Sequence, residues 1–121
     1  MGERFVYLNI DIVETVVRFG SHSDSPEFLY KYIEHFSHIV ETNSSSHLSF
    51  QKCLSAANII YECIVDDRVD EHWKALCLDN ISHFLEFLTE TAFTPSDKQA
   101  LLNFRYRLSV LCSKPLNVSR S

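Results

Sequence analysis

Seven consecutive residues, Asp66-Asp67-Arg68-Val69-Asp70-Glu71-His72, set four carboxylates and an imidazole side by side, with Cys63 upstream and Cys77 downstream. Read as Asp66-Asp67-x-x-Asp70, the carboxylates have a spacing that can hold magnesium against a diphosphate. Residues three and four apart are neighbours on a helix, and hard oxygen ligands suit magnesium. Read with the sulfurs, Cys63, His72 and Cys77 offer zinc ligands. His35 and His38, three apart, form another pair that could share a metal.

Each of these readings needs surroundings that the rest of the chain does not supply. Terpenoid synthases, which use the aspartate-rich pattern, wrap a dry cavity in a much larger helical barrel and carry a second metal motif, which these 121 residues lack. His72 and Cys77, five apart, fall on different faces of a helix, and Cys77 belongs to the apolar stripe opened by Trp73. His35 and His38 share their side with Glu34 and Glu41, as a solvated face would. For nucleophilic catalysis there is no Gly-x-Ser-x-Gly elbow, and no cysteine sits in an electropositive run. The seven residues therefore read as a corner. Asp66 and Asp67 end one helix or cap the next, and Asp70 and Glu71 occupy the first turn, where the helix dipole favours acidic groups. No catalytic, cofactor-binding or metal-binding residue is expected.

The elements that flank this corner follow from the scarcity of turn residues. Two glycines and three prolines cannot serve the many tight turns of a sandwich or barrel, and none is spare for a phosphate-binding loop. An all-α bundle of about five helices is expected, over approximately 6–19, 26–42, 47–65, 69–91 and 95–112. The first segment is ambiguous, since Val6, Leu8, Ile10 and Ile12 alternate like a strand while Val6, Ile10, Val13 and Val17 repeat like a helix. With no second strand to pair with, helix is the expectation, and Gly20 its stop. Ser25-Pro26 and Thr94-Pro95-Ser96-Asp97 each read as a cap followed by proline. The third helix carries Ser55, Ala56 and Ala57, which let a neighbour approach closely, so it should be central. Residues 1–113 read as one domain and 114–121, after Pro115, as a flexible tail.

Composition bounds the function. Apolar residues make 45% of the chain, and no run approaches the roughly 18 apolar residues of a membrane span. A formal net charge of -5 with only eleven Lys and Arg argues against a nucleic-acid surface. The four cysteines form no Cys-x-x-Cys pair and the first residues do not read as a secretory signal. An intracellular, reducing and cytoplasmic location is therefore expected, with the sequons at Asn43 and Asn117 accidental. Met1-Gly2 lacks the Ser or Thr of a myristoylation signal at position six.

Phe50 to Leu88, which contains Leu54-Ser55-Ala56-Ala57, the polar corner and Trp73, resembles the central hairpin of the poxviral Bcl-like family, the B-cell lymphoma two fold. The Asn-Trp-Gly-Arg motif of the cellular relatives is not present. The resemblance implies a cytoplasmic protein, of a family often dimeric so that a homodimer is possible, that modulates apoptosis or innate immune signalling by binding host adaptors or pro-apoptotic helices. The competing analogy is with armadillo or HEAT-type repeats, pairing 26–42 with 48–65 and 69–91 with 95–112; it implies a small scaffold domain or a fragment of a larger complex. Both lead to a non-enzymatic protein-interaction domain that takes an amphipathic partner helix through a groove or an exposed face. The residues in excess of one core stripe are Tyr7, Tyr30, Phe87 and Phe93. Phe87, about 100° from Leu88 around the helix, is expected either to meet a partner or to make a second core contact.

Overall fold

The computed structural model describes residues 9–43 and 47–119, the side chains of 113–119 excepted. Five helices and no strands are found among the described residues: α1 Ile10–Phe19, α2 Glu27–Asn43, α3 His47–Val65, α4 Glu71–Thr91 and α5 Pro95–Ser119. None is long and apolar enough to cross a membrane.

Local chemistry sets most of the boundaries. The side chain of Asn9 accepts the Asp11 amide at 2.7 Å and caps α1, and residues 6–8 of the expected first helix lie outside the described residues. At the other end Gly20 takes the left-handed conformation, φ 61°, and its amide donates to the Val16 carbonyl at 2.8 Å. A side chain at that φ would be strained, so glycine is the residue that ends this helix cheaply. The Pro26 carbonyl accepts the Tyr30 amide at 3.1 Å, which starts α2 at Glu27, one residue later than expected. The fourth helix begins at Glu71 and not at 69, because Asp70 is its cap and Val69 turns into the core.

Thr94-Pro95-Ser96-Asp97 forms the reciprocal cap that its spacing predicts. The Asp97 amide donates to Thr94 Oγ1 at 3.0 Å, while Asp97 Oδ2 accepts the amides of Thr94 and Phe93 at 3.2 and 3.1 Å. The far end of α5 differs in extent from the expected 95–112: the helical backbone runs through Pro115 to Ser119. Proline has no amide to offer the carbonyl four residues back, which removes one helical bond without forcing the chain to stop.

The bundle is arranged around α3, which touches all four other helices and packs most extensively on α4. Ala56 and Ala57 are buried in it and Ser55 is exposed, so two of the three small residues serve close approach. An aromatic stack joins α2 to α4: Phe36 lies 5.0 Å from Tyr32 and 6.1 Å from Phe84, which meets Phe87 edge-on at 5.4 Å. Edge-to-face pairs at these separations add to the area that the rings bury. The fully buried Tyr32 donates its hydroxyl to Glu14 of α1. Burial, reinforced by that carboxylate, pushes the phenol well above its ordinary range.

Candidate functional site

The acidic corner between α3 and α4 is occupied by the protein's own groups. Asp66 accepts the Arg68 amide at 2.9 Å and the Arg68 Nε and Nη2 at 3.0 Å each, and Arg18 Nη1 of α1 reaches it at 2.9 Å. The Arg68 guanidinium, then its amide, then Arg18 hold this carboxyl well below the usual carboxylate range. Asp70 faces back to the His72 amide at 3.3 Å as the α4 cap, and His72 is exposed. Among the described residues no group of three His, Cys, Asp or Glu side chains could hold a metal.

The same corner clasps the end of α1. The indole Nε1–H of Trp73, fully buried, donates to the Val17 carbonyl at 2.8 Å and so satisfies one of the acceptors that α1 leaves open at its C-terminus. Gly20 lies against that ring and against Val69: a Cβ there would meet Trp73 Cδ1 at 2.8 Å. Nothing local in the sequence couples Arg18, Gly20, Asp66 and Trp73. The one signal available was an isolated glycine ending one helix and a lone tryptophan starting another.

Cys63 and Cys77 face each other across α3 and α4, fully buried, with sulfurs 3.8 Å apart. The hydrogen bond from Cys77 favours the Cys63 thiolate and pulls that thiol down, whereas Cys77, bonded to Cys63 and buried, is pushed up. His72 is not part of this contact; the pair is a core contact between two helices.

Of the residues singled out for a partner, Tyr7 lies outside the described residues. Tyr30 and Phe87 come together, lining a groove of about 400 Å³ between α2 and α4 with Ile33, Ser37, Asn80 and His83, and with Glu34 and Glu86. Tyr30 is exposed, but Phe87 is 8% exposed and belongs to the core, where it packs on Phe84. Of the two readings open for Phe87, this burial matches the second core contact of a sandwiched helix: α4 is covered by α2, α3 and α5, which widens its buried arc beyond the Trp73 stripe. Phe93, 67% exposed in the turn between α4 and α5, lies apart from this groove.

A second groove, of about 500 Å³, was not anticipated. It runs between α4 and α5 over the end of α3, lined by Ile64, Ala75, Leu78, Leu111 and Cys112 together with Glu71 and Lys74. Lys74 Nζ pairs with Glu71 Oε2 at 3.5 Å, a contact of opposite charges within an otherwise mostly apolar lining. Leu78 is exposed although it sits on a helix whose neighbouring Cys77 is fully buried. Its position one residue past Cys77, off the Trp73 stripe, was the signal that could have marked it. Comparison with protein-family models, curated proteins and solved structures found no match for this chain.

Proposed function

We propose that this chain is a non-enzymatic protein-interaction domain that seats an amphipathic helix of a partner in the groove between α4 and α5. The observation that carries this reading is the groove's lining: Ile64, Ala75, Leu78 and Leu111 offer apolar contact from three helices, and the Glu71–Lys74 pair in the same lining can orient a polar border. An incoming helix would present apolar residues at i, i+3, i+4 and i+7 to such a surface. The packing of the other four helices around α3 supports the Bcl-like analogy over stacked repeat pairs, in which α2 and α3 would form the closest contact; here α3 packs most on α4. On that analogy the partner is a pro-apoptotic helix or signalling adaptor of a host cell, and the site of action the reducing cytoplasm, which the free thiols suit.

The test uses fluorescence anisotropy with labelled synthetic amphipathic helices of about 20 residues and scrambled controls. Leu78→Asp should weaken binding at least about tenfold, the worth of one apolar anchor. Because Leu78 is exposed, its thermal midpoint should stay within about 2 °C of the parent. Tyr30→Asp, in the other groove, should leave affinity unchanged. Undiminished binding by Leu78→Asp sinks the proposal.

A further inference from the structure

Helix α5 is apolar on two opposite sides. Leu101, Phe104 and Leu108 are buried against the bundle, while Leu102, Tyr106 and Val110 are 59%, 70% and 39% exposed. At 100° per residue the two sets lie about half a turn apart, and the outer set, at i, i+4 and i+8, makes a stripe about 12 Å long. A scattered exposed leucine is ordinary, and a surface helix of a globular protein has its polar face opposite the core stripe; here an apolar row shares that place with Gln99 and Asn103, whose amides bond to each other at 3.1 Å.

The charges beside this row have one sign. From Lys98 to Cys112 the helix carries Lys98, Arg105 and Arg107 and no Asp or Glu, in a chain of net charge -5. By angle, Lys98 and Arg105 border the outer row on one side and Arg107 on the other, and all three are exposed. Arg105 Nη2 donates to Thr89 Oγ1 at 3.2 Å, and Arg107 Nη1 donates to Asn58 Oδ1 at 3.1 Å with its guanidinium 4.3 Å over the Tyr61 ring. Those neighbours are neutral, so they orient the two cations without cancelling them.

We propose that the outer face of α5 docks an acidic amphipathic helix, its apolar stripe on Leu102 and Tyr106 and its carboxylates against Lys98, Arg105 and Arg107. Charge complementarity selects this occupant: like-charge juxtaposition would reject a basic helix, and opposite charge speeds and orients the encounter. An anionic membrane fits less well, because stable attachment draws on a wider apolar face or a larger cluster of cations than this helix offers. The face lies away from the groove of Ile64 and Leu78, and the proposal goes beyond that one without depending on it.

The experiment measures the anisotropy of two labelled synthetic helices of about 18 residues, with identical leucine stripes flanked by Glu in one and Lys in the other. The full chain should bind the Glu helix at least about tenfold more tightly, and raising salt from about 50 to about 300 mM should erode that preference. The double variant Leu102→Ser/Tyr106→Ser should weaken Glu-helix binding about tenfold or more with an unchanged circular dichroism spectrum, and Arg105→Glu should narrow or reverse the preference. Leu78→Asp should not affect it, which separates this face from the groove. Equal affinity for the two helices, or full binding by the double variant, overturns the proposal. So does a self-association by light scattering that the double variant abolishes, or co-sedimentation of the chain with phosphatidylserine vesicles.

Discussion

At the scale of single residues, the contact of Gly20 with Trp73 does more than either residue type announces. Gly20→Ala would place a methyl group at φ 61° and 2.8 Å from the indole, which is held in place by its own bond to Val17. The left-handed conformation and the overpacking together should cost about 2–4 kcal/mol. Urea unfolding followed by the fluorescence of Trp73, the one tryptophan of the chain, should show a lower midpoint at unchanged slope. Trp73→Phe keeps most of the ring volume and removes the indole N–H, leaving the Val17 carbonyl without that donor. A loss of about 1–3 kcal/mol is expected, and a neutral result would mean that water reaches this carbonyl. Such contacts were not legible in the sequence. Arg18 and Asp66 are 48 positions apart and Val17 and Trp73 are 56 apart, and no periodicity encodes a pairing at that distance. Phe87 was ambiguous for a related reason: its angle on the helix was readable, but the number of neighbours covering that helix was not.

At the scale of elements, starts were easier to read than stops. The cap at Thr94 was legible because its hydrogen bonds close within four residues. The end of α5 was not, because a proline removes one bond and leaves the continuation to the rest of the chain. Asp97 also joins two elements, since its Oδ1 lies 3.0 Å from Nδ1 of His47 at the start of α3. Burial works against the charge of Asp97, but the amides of Phe93 and Thr94, with His47, outweigh it and hold the carboxyl below its usual value. A carboxyl whose value is lowered by folding stabilises the native state above its unfolded value, near 4, and that contribution is lost as pH falls through the lower folded value. Asp97→Asn should therefore unfold more easily at pH 7, by about 1 kcal/mol as for a lost cap. The gap to the parent should close below about pH 4, and a gap independent of pH would show that the charge is not what stabilises the cap.

At the scale of the molecule, one hydrophobic cluster draws on all five helices, and three of the four thiols lie inside it. Cys53, Cys63 and Cys77 are fully buried, and burial pushes the Cys53 thiol up to about 11; Cys112 is exposed. With a thiol reagent at neutral pH, one group should react promptly and the other three only as fast as the bundle opens. In denaturant all four should react together, and prompt native labelling of two or more would mean that the core opens locally. The fold class was legible from the scarcity of glycine and the helical spacing of apolar residues; the grooves were not, because each is formed by residues from different helices. The clasp on α1 also bears on the order of assembly. The α3–α4 hairpin can close through local contacts, but α1 has no acceptor for Arg18 until Glu62 and Asp66 have been made and no ring against Gly20 until Trp73 has followed. As the chain is synthesised, α1 can therefore meet α2 early, through Tyr32 and Glu14, but the clasp on its C-terminal end closes only once Trp73 has been made.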